Sequence, residues 1–112
     1  MVFLKSICTA LFILVAVHAA RAAEHTLVMH HMELQPLQMT PRVGDVITFD
    51  NQSDMTHNLY VTYSDGTVDN LDTQIPGVKR QLTIRVAGPA VIKCWIHPII
   101  RLDVEIAPPA DP

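Results

Sequence analysis

From residue 23 onward the chain is cut into short runs by turn-forming residues, and this punctuation limits its fold more than any other feature. Pro41-Arg42-Val43-Gly44-Asp45, Asp50-Asn51-Gln52-Ser53-Asp54, Ser64-Asp65-Gly66, Ile75-Pro76-Gly77 and Gly88-Pro89 all carry turn chemistry. Between them lie β-branched and apolar runs, and 57–63, 81–86 and 102–106 alternate at a period of two, the pattern of half-buried strands. Residues 25–34, 46–49, 57–63, 81–86, 90–95 and 102–106 read as strands. In the run 81–86, Leu82, Ile84 and Val86 share one face. Residues 67–73 are polar and acidic and read as a surface loop. No run is long and periodic enough for a helix. The expectation is an all-β fold, a Greek-key β-sandwich of about seven to eight strands, in a single domain over residues 23–112.

The first 22 residues do not fit this pattern. Lys5 precedes the apolar run Ala10-Leu11-Phe12-Ile13-Leu14-Val15-Ala16-Val17, and Ala20-Arg21-Ala22 has the small-residue spacing of a cleavage site. That order predicts a secretory signal peptide over residues 1–22 and a periplasmic or secreted product. An uncleaved anchor is the competing reading. The run is short of the roughly 20 apolar residues a bilayer span needs, so no membrane attachment is expected after cleavage. Cys8 lies ahead of the apolar run, which is the wrong side for lipid acylation.

Cleavage changes the charge and the cysteine count. The whole chain carries 8 basic and 11 acidic residues. Lys5 and Arg21 leave with the leader and no acidic residue does, so the net charge moves from −3 to −5. A chain this acidic is not expected to bind nucleic acid, which needs clustered Lys and Arg. It suits a neutral or basic protein partner. Only Cys94 remains of the 2 cysteines, so no disulfide can form within the mature chain. An unpaired thiol in an oxidising compartment has to be buried or ligated. A buried cysteine acting as a small hydrophobe is the simpler alternative.

The neighbours of Cys94 favour ligation. Cys94-Trp95-Ile96-His97 offers a sulfur and an imidazole across a tight loop at a strand end. His57 begins another predicted strand. A thiolate with two imidazoles is the donor set of a blue-copper site, in which soft sulfur and borderline nitrogen serve both Cu(I) and Cu(II). A C-x-x-H pair alone is a weak signal. A strand-borne histidine, an exported location and a single mature cysteine strengthen it.

Residues 49–61 (FDNQSDMTHNLYV) and 91–106 (VIKCWIHPIIRLDVEI) resemble the two copper-binding segments of the cupredoxins, with amicyanin and plastocyanin nearest in kind. The turn and strand at 41–49, Ile75-Pro76-Gly77 and Gly88-Pro89 resemble the family too. The resemblance implies a β-sandwich with copper at one end, held by His57, Cys94 and His97. It also implies that Asn58 ties the two ligand loops together by hydrogen bonds. One position departs from the pattern. Amicyanin-like loops read Cys-x-x-His-x-x-Met, the methionine being a weak axial ligand, and Ile100 stands there instead. No methionine follows Met55. The site is therefore expected to have three ligands or to recruit another, and to favour Cu(I).

The stretch His25, Met29, His30, His31, Met32 and Met39 has two readings. Met29, His30, His31 and Met32 could form a second copper site, since thioether and imidazole both bind Cu(I). The more economical reading makes them core methionines and solvated histidines of a first strand. In a strand, Met29 would share a face with His31, and His30 with Met32. Trp95 reads as a packing residue or a step on an electron path. Pro98, Ile99 and Ile100 read as an apolar surround for His97, and Met55 as part of that rim. Asp65, Asp69 and Asp72 read as a solvated acidic loop.

Three functions follow. The first is an exported monomer that binds one copper ion and carries single electrons for a redox protein partner. The second is a copper-handling protein (chaperone, sensor or resistance factor) that exchanges the ion with a donor or acceptor protein. The third is a metal-free interaction module of the same fold. No acid–base or nucleophilic constellation marks the chain as an enzyme.

Overall fold

The computed structural model describes residues 22–110. The expected leader, except for Ala22, lies outside the described residues. Among the described residues there is no helix, and so none long and apolar enough to cross a membrane.

Eight strands form two sheets. They are β1 (Glu24–His30), β2 (Glu33–Leu34), β3 (Val46–Asn51), β4 (His57–Thr62), β5 (Val68–Gln74), β6 (Lys79–Thr83), β7 (Gly88–Cys94) and β8 (Arg101–Ile106). One sheet has the order β2-β1-β3-β6 and the other β5-β4-β7-β8. The chain changes sheet between β3 and β4, β5 and β6, and β6 and β7, as a Greek-key sandwich requires. The core lies between the sheets. Leu27 and Met29 of β1, Ile47 and Phe49 of β3, Leu59 and Val61 of β4, and Ile92 of β7 are all buried there, each pair two residues apart. Leu82, Ile84 and Val86 also face this core, although β6 itself starts two residues before the predicted strand and ends at Thr83.

Two expectations are corrected. Residues 67–73 are not a loop: they lie in or beside β5, an edge strand paired with β4. The pattern was hidden by a bulge. Asn58 faces Thr73 but Tyr60 faces Asn70, so Leu71 and Asp72 together oppose Leu59. Asp72 takes a φ of 60°, and the extra residue breaks strict alternation. Both Leu71 and Gln74 are therefore buried although they are three residues apart. The polar, acidic outer positions suit an edge that must not recruit another strand. Asp69 also accepts hydrogen bonds from Tyr63 Oη (2.7 Å) and Arg85 Nε (2.9 Å).

The second correction concerns residues 25–34, which form a hairpin and not one strand. β1 ends at His30, and His31 turns the chain with a φ of 50°. Met29 then pairs with Leu34, and His30 with Glu33. Two-residue hairpin turns need positive φ, and histidine adopts it more readily than most residues. The shared faces expected for Met29 with His31, and for His30 with Met32, do not exist.

Candidate metal centre

Register brings two distant residues together. β4 and β7 are hydrogen-bonded neighbours, with Leu59 opposite Cys94. His57 lies two residues before Leu59 and so points to the same inner face. Cys94 ends β7, and the following loop carries His97 back over the end of the sandwich. That loop is closed by Ile100 N–H donating to the His97 carbonyl at 3.0 Å.

His57, Cys94 and His97 place their ligand atoms within 4.8 Å of one another. Cys94 Sγ lies 4.0 Å from His57 Nδ1 and 3.7 Å from His97 Nδ1. A small ion bonded at about 2.3 Å to sulfur and about 2.0 Å to nitrogen, in a trigonal set, separates those atoms by about 3.7 Å. The donor atoms thus fit one ion. His57 and Cys94 are buried and His97 is half-buried, so the cluster sits just beneath the surface. The two imidazole rings are tilted at 58° with centroids 5.2 Å apart.

The polar residues behind His57 fix its orientation. Ser53 Oγ–H donates to Asn51 Oδ1 at 2.6 Å, so it accepts from His57 Nε2–H at 3.0 Å. That tautomer leaves the Nδ1 lone pair free and facing Cys94. Asn51 Nδ2 in turn donates to the Met55 and Gln74 carbonyls, both at 2.9 Å. Gln74 Nε2 donates to the Phe49 and Val78 carbonyls and joins the two sheets beneath the site. Burial pushes the His57 imidazole below its ordinary pKa, and nearby His97 adds to the effect. The ring is held neutral, the form in which a histidine can ligate.

The main chain of Asn58 makes hydrogen bonds to Cys94 and Trp95. Its N–H reaches Cys94 Sγ at 3.4 Å, and its carbonyl accepts from Trp95 N–H at 2.9 Å. Ser53 and Asn51 were not singled out from the sequence, where they read only as turn residues. Their spacing before His57 was the available signal.

The remaining predicted residues separate. Ile100 is 2% exposed and belongs to the core. Around half-buried His97, Trp95, Ile96 and Ile99 are 60%, 49% and 77% exposed. Trp95 stacks on Tyr60 with centroids 3.9 Å apart, and its Nε1 donates to Asn70 Oδ1 at 3.0 Å. Met55 is half-buried. Met29 is fully buried in the core, whereas His30 and His31 are exposed. Met32 lies at the turn, half-buried beside Ile99 and Ile100.

No family model matches the chain. Methylamine utilization protein MauL of Methylorubrum extorquens is 47% identical over 88 residues, which cover 79% of this chain and 77% of that protein. Among solved structures, amicyanin from Paracoccus versutus superposes with a TM-score of 0.62 at 19% identity, covering 78% of this chain and 82% of that one. A purple cupredoxin from Nitrosopumilus maritimus gives 0.62 at 18% identity, covering 73% and 98%. These structures share the fold, and the sequence relative supplies the family. The chain belongs to the family of the methylamine utilization protein MauL, built on the cupredoxin β-sandwich.

Proposed function

We propose that this chain binds one copper ion through His57, Cys94 and His97 and carries single electrons to or from a redox protein outside the cytoplasm. The carrying observation is the convergence of one sulfur and two imidazole nitrogens within 4.8 Å at one end of a cupredoxin sandwich. Copper, when bound, supplies reversible one-electron exchange. The protein's part is to hold the donors still. Ser53 fixes His57, the Asn58 N–H bonds Cys94 Sγ, and two hydrogen-bonded strands fix the spacing. Little therefore has to move when the charge changes. Exposed Trp95, Ile96 and Ile99 surround His97 and offer an apolar face on which a redox partner can dock. The name of the relative suggests that the electrons belong to methylamine utilization. This role is a carrier's and not an enzyme's, and it needs only a monomer.

Copper handling is the second reading, favoured by Ile100. An aliphatic side chain donates nothing to copper, which disfavours Cu(II) relative to Cu(I). A visible absorption spectrum of the mature protein with added Cu(II) separates the two. An intense blue or purple thiolate-to-copper band is expected for the carrier. A colourless protein that takes only Cu(I) would favour handling, and preference for zinc would end both.

A further inference from the structure

β1 runs parallel to β3, and β3 ends next to the metal cluster, so the start of β1 lies at the far end of the sandwich. There Ala23 is exposed, yet both of its main-chain polar groups are held. Its carbonyl accepts from Val46 N–H at 3.0 Å, and its N–H donates to Asp45 Oδ1 at 2.9 Å. The other carboxylate oxygen, Oδ2, accepts from Arg42 N–H at 2.9 Å and meets His25 Nε2 at 2.8 Å. Asp45 is 4% exposed. A nearly buried carboxylate thus converges on the nitrogen of the residue that follows the Ala20-Arg21-Ala22 cleavage pattern.

We propose that the chain is cut between Ala22 and Ala23 during export, and that Asp45 is the receptor for the α-ammonium group this cut creates. A processing peptidase adds water across the Ala22–Ala23 bond. Ala22 leaves as the new carboxylate carrying the water oxygen, and the Ala23 nitrogen keeps the bonding pair and takes up both protons of the water. An N–H···O⁻ bond with one charged partner then becomes an N⁺–H···O⁻ bond with two, which adds the Coulombic attraction of an ion pair. Ala22, Ala23, Arg42 and Asp45 border an open groove of about 400 Å³, so the other ammonium hydrogens can reach water. Processing would therefore fasten the start of β1 as well as release the leader.

Burial alone raises the pKa of the Asp45 carboxyl, but the hydrogen bonds from His25, Arg42 and Ala23 together outweigh it and hold it below the usual carboxylate value. Asp45 is thus anionic at neutral pH. His25 faces it directly, whereas the Arg42 guanidinium turns away to the Pro108 carbonyl at 3.3 Å. The proposal rests on the leader pattern and this geometry, not on copper.

The test exports the full chain from a bacterial host and determines the N-terminus of the product by intact mass and sequencing. Ala23 is the expected first residue. NMR titration should place its α-amine about one unit above the ordinary value of about 7.7–8.0, and Asp45→Asn should return it there. A first residue other than Ala23, or an α-amine that titrates alike in both proteins, overturns the proposal. If Asp45→Asn does not fold, selective Nα-acetylation of the exported wild-type protein replaces it. A raised ammonium pKa stabilises fully below the unfolded value and loses that effect as pH rises through the folded value. Acetylation should therefore lower Tm at pH 7 but not at pH 10. Equal Tm values before and after acetylation at pH 7 overturn the proposal.

Discussion

At one end of the sandwich, His57, Cys94 and His97 turn their ligand atoms toward one another, and apolar Trp95, Ile96 and Ile99 stand in solvent around them. At the other end, Asp45 gathers hydrogen bonds from Ala23 and His25, which join the start of β1 to the turn before β3, and from Arg42 within that turn. Both ends bury polar groups, but they use them differently. The Asp45 end satisfies its carboxylate within the fold, which is how buried polar groups ordinarily contribute to stability. The His57 end satisfies only Nε2 and keeps Nδ1 facing a sulfur. A lone pair whose one partner in the fold is a sulfur at 4.0 Å suits the metal site proposed above. The contrast predicts that changes at the two ends affect different measurements.

Cys94→Ser should break the ligand end most completely. It removes the soft donor, so Cu(II) affinity should fall by more than the roughly 10- to 100-fold that loss of an orienting partner costs, and any thiolate-to-copper band should vanish. Titration followed by absorption checks this. Retained affinity would mean that the cluster is not the site. Ser53→Ala leaves all three ligands in place and frees the His57 ring. Loss of such an orienting partner typically costs about 10- to 100-fold in metal affinity. Calorimetric titration against wild type measures it, and an unchanged affinity would show that packing alone positions His57.

The opposite end should respond in stability and not in metal binding. Asp45→Asn is expected to cost about 2 kcal/mol in urea unfolding of the metal-free protein, because hydrogen bonds to a charged group are lost. The pH dependence has a definite sign. Asp45 and Asp69 both have pKa values held below the usual range by their hydrogen-bond donors, against burial, which raises them. A depressed carboxylate contributes stability above about pH 4 and loses it as pH falls through the folded value. Acid unfolding curves of wild type and Asp45→Asn should therefore converge as pH falls toward 2. The smallest effect is expected at the rim. Trp95→Ala removes the stack on Tyr60 and should cost about 0.5–1.5 kcal/mol in stability. It should leave copper affinity near wild type while slowing electron exchange with a partner, which stopped-flow mixing would detect.

Much of this was legible in the residues. Alternation located the strands at 57–63 and 102–106 and the shared inward face of Leu82, Ile84 and Val86, because a period of two survives wherever the ladder is regular. It failed at β5, where one extra residue at Asp72 shifts the inward face, and at His31, where a turn interrupts an apolar run. The ligand types were visible too, since Cys94 and His97 are separated only by a short loop. Ser53 and Asn51 were not, because a turn residue's side chain reveals its acceptor only when the strand behind it is placed.

The sequence by itself determined the all-β class, the sulfur and imidazole donors, and an aliphatic Ile100 where amicyanin-like loops carry methionine. Only the tertiary structure decided that His57 meets Cys94. They are far apart in the chain, and their approach depends on the β4–β7 register, which a one-residue slip would turn to the other face. It also decided which nitrogen of His57 is free, because that follows from Ser53 Oγ being 3.0 Å from the other one. Local chemistry is written residue by residue, whereas a ligand set is a set of non-local distances that packing alone can fix.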